Sequence, residues 1–233
     1  MKKSEKAFNI LKEHQLIALL APKSVENCII AYEILSPMGI VLEIAFRTEI
    51  ALEGIKATLE KYPDSLILAG TVMTQKQAIE AIEAGVAGVV SADYIPRVVE
   101  VCVKNDIMCI PGGLGDAGKQ LVQKAEFYQC DFESLREKYP YQWIYKLFPA
   151  ATEKMTFISL SKPWKSAFKG LNIVYTGGLS LSNLREIVQW DPDGIICGSA
   201  LTKLIDEPNK MLEQASKWKE IIKTDQKRIE QQK

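Results

Sequence analysis

The sequence predicts an α/β protein of the (β/α)8, or TIM-barrel, class, with residues 1–233 forming one domain. Three observations carry this. Eight short runs rich in Val, Ile and Leu recur along the 233 residues, and stretches of helical length with one apolar face lie between them. The runs are continuously apolar rather than alternating, as expected of parallel strands covered on both faces. Eight βα units in a chain of this length favour closure into a barrel, with an open doubly wound sheet as the alternative.

Each element has a local reason. Ser4–Glu13, within the helix expected over residues 1–14, is amphipathic and precedes the first strand, where it can plug or cover the bottom of a barrel. After strand Gln15–Leu20, Ser24 stands at the N-cap of helix Ser24–Leu35. Pro37 ends that helix because an interior proline lacks the backbone donor, and Gly39 suits a left-handed C-cap. Strand Ile40–Phe46, helix Glu49–Lys61 and strand Leu66–Ala69 follow. Thr74 caps helix Gln75–Glu83 and Gly85 closes it before strand Ala87–Ser91. Helix Pro96–Lys104 leads to strand Ile107–Ile110, a long helix Asp116–Lys138 and strand Trp143–Phe148. Helix Thr152–Phe168, strand Asn172–Thr176, helix Ser180–Gln189, strand Gly194–Cys197 and helix Leu201–Ile222 complete the repeat. Residues 126–141 lengthen their connection beyond a simple crossover and read as an insertion at the barrel rim. Residues 217–233 read as an exposed charged tail.

Composition bounds the function. Apolar residues make up 47% and charged ones 25%, and 29 Lys+Arg balance 29 Asp+Glu, which leaves no electrostatic footprint for nucleic acid. No apolar run reaches the roughly 18 residues of a membrane span, and the opening MKKSEKAFNILKEH lacks the apolar core of a signal peptide, so a cytoplasmic protein is expected. Five cysteines without a C-x-x-C pair read as free thiols in a reducing compartment. His14 is the sole histidine, which excludes a His-based zinc site and leaves a Ser-His-Asp triad or a Cys-His pair only if that residue serves.

Two charged residues stand where apolar ones belong. Lys146 interrupts W-I-Y-K-L-F, sharing a face with Ile144 and Phe148. Facing the barrel interior, its ammonium would be desolvated and its pKa lowered, making an amine nucleophile competent for Schiff-base chemistry. The bland alternative is a lysine that snorkels to solvent or pairs with a carboxylate. Glu43 interrupts V-L-E-I-A-F-R and shares a face with Val41, Ala45 and Arg47. Glu43 lies on the second strand and Lys146 on the sixth, and inward side chains of alternate barrel strands fill the same layer. A carboxylate beside a nucleophilic lysine can move the protons that carbinolamine formation, dehydration and C–C cleavage require; a buried ion pair without chemistry is the alternative. Arg47 ends its strand at the barrel face where active sites lie, with a fork suited to a carboxylate, and Thr71 follows the third strand. A surface salt bridge for Arg47 and a helix cap for Thr71 remain open. Thr176–Ser180 (T-G-G-L-S) and Cys197–Ala200 (C-G-S-A) follow the seventh and eighth strands, where barrels often bind phosphate on backbone N–H groups and helix N-termini.

Taken in order, V-L-E-I-A-F-R-T (Val41–Thr48), A-G-T-V (Ala69–Val72), Y-K-L-F-P-A (Tyr145–Ala150), T-G-G-L-S and C-G-S-A resemble the motifs of the class I 2-keto-3-deoxy-6-phosphogluconate (KDPG) and 4-hydroxy-2-oxoglutarate (KHG) aldolases. The resemblance implies Lys146 as Schiff-base lysine, Glu43 as acid–base catalyst, and Arg47 with Thr71 at the substrate carboxylate. It implies Thr176, Gly177, Gly178, Gly198 and Ser199 at a phosphate, a homotrimer, and no metal or other cofactor. The implied partner is a small 2-keto acid, phosphorylated in the KDPG case. The chain departs from the family pattern at Ser91-Ala92-Asp93, where Ser-Pro-Gly is common, and in G-L-G-D-A-G after Gly112, where a Ser/Thr-rich turn is usual. It departs again at Ala150-Ala151, often Ala-Glu. Three rivals follow: an aldolase for an unphosphorylated 4-hydroxy-2-keto acid, a non-catalytic barrel binding a sugar-acid phosphate, and a lysine-free phosphate isomerase, which gives Lys146 no role.

Overall fold

Nine parallel strands make a single sheet that curls into a nearly closed barrel, and the computed structural model describes residues 1–230, with side chains through Asp225. The strands are β1 (Leu16–Leu20), β2 (Val41–Ala45), β3 (Leu68–Gly70), β4 (Gly88–Val90), β5 (Met108–Ile110), β6 (Gly112–Gly113), β7 (Ile144–Leu147), β8 (Asn172–Thr176) and β9 (Gly194–Cys197). Their order is β5-β4-β3-β2-β1-β9-β8-β7-β6. Only Pro111 separates β5 from β6, so the ring closes through the chain itself: β5 pairs with β4, and β6 with β7. The expected fifth strand, Ile107–Ile110, is β5, and β6 beyond Pro111 is a short strand that was not expected. Pro111 has no N–H for a ladder, but its carbonyl accepts the Lys146 N–H at 3.0 Å.

The helices are α1 (Lys3–His14), α2 (Val25–Leu35), α3 (Ala51–Lys61), α4 (Gln75–Ala84), α5 (Pro96–Lys104), α6 (Ala117–Phe127), α7 (Phe132–Lys138), α8 (Ser161–Ala167), α9 (Leu184–Val188), α10 (Ser199–Thr202) and α11 (Pro208–Glu230). Ser24 and Thr74 accept the N–H groups of Asn27 and Gln77 as N-caps. Gly39 (φ +71°) and Gly85 (φ +93°) end their helices in the left-handed region.

Four expected helices are cut back or divided. Asp116–Lys138 is two helices, because Gln129 turns left-handed (φ +50°) and Asp131 caps a new start on the Ser134 N–H. In Thr152–Phe168, Thr152 and Met155 close a tight turn by mutual hydrogen bonds, and α8 begins only at Ser161. Ser180–Gln189 shrinks to α9 because the Asn183 side chain holds the preceding turn through the Ser180 N–H and the Gly178 carbonyl. Leu201–Ile222 is divided by Pro208, with α10 starting earlier at Ser199.

Two apolar shells result. Inside the barrel, Ile17, Val41, Leu68, Met108, Ile144 and Val174 pack with Phe8 and Leu11 of α1, which plugs the bottom. Ser4 fixes that helix by donating to the Ala87 carbonyl and accepting the Met108 N–H. Outside, Leu42 and Ile44 of β2 and Tyr145 and Leu147 of β7 face the helices. Burying each such side chain contributes about 1.5–3 kcal/mol. The expected exposed tail is a docked helix: α11 packs on α2 and α9 and buries Trp218, Ile222 and Asp225, while residues 231–233 lie outside the described residues.

Residues 126–141 sit at the bottom of the barrel, away from the mouth. Tyr128 and Tyr141 both donate to Asp106, just before β5, and Asp106 also binds Lys2. Gln142 joins β5 to this segment, accepting the Cys109 N–H and donating to the Ile107 carbonyl. Lys124 of α6 is fully buried and donates to the carbonyls of Cys109 and Gln142, both at 2.8 Å. This segment therefore stitches the place where β5 and β7 share no ladder.

Candidate active site

Alternation along β2 and β7 turns Glu43 and Lys146 into the barrel, one step above the Val41 and Ile144 that pack inside it. Glu43 is 1% exposed and Lys146 6%. They attract each other electrostatically without a direct ion pair. Burial pushes the Glu43 carboxyl up to about 7, against the opposing pull of Lys146 and Arg47. Burial likewise lowers the Lys146 amine to about 8, with Glu43 raising it, Arg47 lowering it and Asp93 raising it. One Glu43 oxygen, Oε2, is buried without a hydrogen-bond partner. The Lys146 ammonium lies 5.1 Å from the Phe148 ring centroid.

Two glycines make room for this pair, and sequence reasoning missed both. A Cβ at Gly70 on β3 would overlap the Glu43 carboxylate, and one at Gly112 on β6 would lie 2.6 Å from Lys146 Cε. The signal was a glycine at the end of each neighbouring strand, which gains meaning only once register is known.

At the mouth, Arg47 Nε donates to Thr71 Oγ1 at 3.1 Å. Thr71 holds φ +53°, a conformation that β-branched residues rarely adopt. Neither bland alternative for these two applies: Thr74, not Thr71, caps α4, and Arg47 makes no ion pair among the described residues. Asp93, in the departing Ser91-Ala92-Asp93 turn, accepts the Tyr94 N–H, while the Ser91 hydroxyl donates to the Asp93 carbonyl.

The two glycine turns open at the same end of adjacent strands β8 and β9. Thr176 is buried, and its hydroxyl faces the Ile196 carbonyl at 3.4 Å. Gly177 (φ +86°) and Gly178 (φ +70°) run against the loop after Lys146, where the Ala151 N–H donates to the Gly177 carbonyl at 3.1 Å. Gly198 faces open space, with nothing within 4 Å of where a Cβ would stand. The helices behind these turns have only five and four residues, so the expected helix N-termini are reduced to backbone N–H groups and the Ser199 hydroxyl. Among the described residues no cluster of three or more His, Cys, Asp or Glu assembles, and no helix is long and apolar enough to cross a membrane.

Comparison with known proteins gives consistent relatives. The sequence model of the KDPG and KHG aldolase family matches residues 8–124. A 2-dehydro-3-deoxy-phosphogluconate aldolase of Treponema pallidum is 30% identical over 194 residues, covering 83% of this chain and 84% of that one. One from Haemophilus influenzae is 26% identical, covering 91% and 89%. The crystal structure of a KDPG aldolase from Legionella pneumophila, with pyruvate captured as a covalent carbinolamine, has the same fold with a TM-score of 0.72 at 23% identity, covering 92% of this chain and 97% of that one.

Proposed function

The chain belongs to the KDPG and KHG aldolase family, and from that premise we propose that it cleaves a 2-keto-3-deoxy-6-phospho sugar acid to pyruvate and glyceraldehyde 3-phosphate through a Schiff base on Lys146. The observation that carries the reading is the pair inside the barrel: a buried amine lowered to about 8 beside a buried carboxyl raised to about 7.

The Lys146 amine attacks the C2 ketone while Arg47 and Thr71 hold the C1 carboxylate. The carbinolamine loses water, its hydroxyl taking a proton from Glu43, and an iminium forms. Glu43, now a carboxylate, removes the C4 hydroxyl proton; the C3–C4 bond breaks, and its electron pair passes through the forming enamine to nitrogen. The aldehyde departs with its phosphate beside Thr176, Gly177, Gly178, Gly198 and Ser199. Protonation of the enamine at C3 and hydrolysis of the iminium release pyruvate and restore Lys146. Both groups bind and lose protons near neutrality, which suits alternate acid and base duty.

We further propose that the enzyme works in the cytoplasm as a homotrimer. Five free cysteines, four of them buried, support a reducing compartment. Met73 and Ile79, 44% and 39% exposed beside and on α4, supply apolar surface for a subunit contact. Light scattering at three times the 26.1 kDa chain mass is expected.

The deciding experiment is incubation with pyruvate and borohydride followed by peptide mapping. A reduced pyruvyl adduct on Lys146, absent from Lys146→Ala, is expected; a folded protein that forms no adduct overturns the reading.

A further inference from the structure

A cleft of about 300 Å³ opens at the mouth of the barrel between the end of β1 and the helix after β9. Lys23, Asn27, Arg47, Ser199, Thr202 and Lys203 are among its walls. Its shape is fixed by Thr202, whose hydroxyl donates to the Leu19 carbonyl at 2.7 Å and so ties α10 to β1. That bond also places Ser199 on the same cleft as Arg47, the residue assigned above to the substrate carboxylate.

Three cations line this concavity, and none of them makes an ion pair among the described residues; Asp206 is the one carboxylate of the lining. Lys61 and Lys165, by contrast, are paired with Glu33 and Asp193. Like charges held around a hollow repel one another, and an anion in the hollow relieves that repulsion. Gly198, the chain neighbour of Ser199, has nothing within 4 Å of where a Cβ would stand.

We propose that Lys203, with Lys23 on the same cleft, recognises the phosphate of the substrate by charge and sets the preference for phosphorylated over unphosphorylated 2-keto acids. This rests on the aldolase reading above. The chemistry favours a phosphate over a distal carboxylate. Lysine ammoniums act as point charges and suit a tetrahedral dianion, whereas a planar carboxylate is better matched by an arginine fork, and the cleft's one arginine already faces the C1 end. The Ser199 hydroxyl and the Asn27 amide, on the same lining, can add neutral donors.

The test compares kcat/KM for three substrates: the phosphorylated 2-keto-3-deoxy acid, its unphosphorylated form, and 4-hydroxy-2-oxoglutarate. The wild type is expected to prefer the phosphorylated acid. Lys203→Ala lowers that preference by about ten-fold or more, chiefly through KM, as loss of a charge-assisted contact should. Lys203→Arg restores most of it, and Lys23→Ala acts in the same direction. A preference that is unchanged in both alanine variants, or that is absent from the wild type, overturns the proposal. Lost activity on all three substrates alike means a structural role for Lys203 and overturns it too. Titration with inorganic phosphate, followed by 31P NMR, gives a readout independent of turnover. Binding by the wild type that is lost in the Lys23→Ala/Lys203→Ala protein supports the subsite; equal binding by both overturns it. Borohydride trapping of pyruvate on the wild type separates the two claims. An intact adduct with unchanged phosphate preference sinks this subsite alone, while a missing adduct sinks the aldolase reading.

Discussion

Gly70 on β3 is the reason that Glu43 can turn its carboxylate into the barrel, because any Cβ at residue 70 would occupy the space of Glu43 Oε1. Gly112 on β6 does the same for the Lys146 side chain. The expected outcomes of filling these spaces differ. Gly70→Ala displaces the acid–base group, so cleavage falls by about ten-fold or more while pyruvate still forms an adduct with Lys146. Gly112→Ala pushes the nucleophile itself, so adduct formation falls. Borohydride trapping and steady-state cleavage, measured on both variants after circular dichroism confirms folding, separate the two.

Adduct formation should rise with pH. The amine attacks only when neutral, and burial holds Lys146 at about 8, so trapping is expected to climb between roughly pH 7 and 9. Glu43 raises the Lys146 pKa by stabilising the ammonium. Glu43→Gln removes that charge, and the midpoint for trapping moves to lower pH while cleavage is lost. A midpoint that stays put in Glu43→Gln would contradict the shared layer inside the barrel.

The same lysine burdens the fold. Its pKa in the folded protein, about 8, lies below the ordinary 10.5, so the unfolded chain holds this proton more tightly. The resulting destabilisation is fully present below pH 8 and fades as pH rises toward the unfolded value. Lys146→Met is therefore expected to stabilise the protein at pH 7 by up to about 3 kcal/mol. Without the lysine, the buried Glu43 carboxyl loses an attraction that lowers its pKa and is protonated more readily, which avoids an isolated buried charge. Denaturant unfolding at pH 7 and pH 9.5 checks this: the advantage of Lys146→Met shrinks at the higher pH.

Lys146 and Glu43 were legible in the sequence because a charge within a run of apolar residues has few explanations, and strand alternation with an eight-fold repeat put both in one layer. Arg47 and Thr71 were legible by position at strand ends. The break at Pro111, the division of the long 116–138 helix and the docking of Trp218 were not, since each depends on partners far away in the chain. Gly70 and Gly112 escaped for a related reason: a glycine at either end of a strand looks like turn chemistry until its neighbour across the ladder is known. Lys124, one of several charged residues in the 116–138 stretch, carries no local signal of burial in the sequence.

That residue carries the last prediction. Lys124 is fully buried, and its ammonium donates to Cys109 and Gln142 carbonyls at 2.8 Å, bridging β5 to the segment that leads into β7. Burial lowers its pKa to about 8, so at pH 7 it is mostly charged and its hydrogen bonds are charge-assisted. Lys124→Met keeps most of the side-chain volume but leaves those carbonyls without this donor, which costs about 2–4 kcal/mol in all once relief of the buried charge is subtracted. The melting temperature is expected to fall by roughly 5–15 °C. Gln142→Leu, which removes the neighbouring bonds to Cys109 N–H and the Ile107 carbonyl, should act in the same direction. Because Lys124 reaches the barrel from α6, remote from the mouth, kcat measured well below the melting temperature should stay near wild type. A Lys124→Met protein as stable as the parent would mean that the join between β5 and β7 holds without this ammonium.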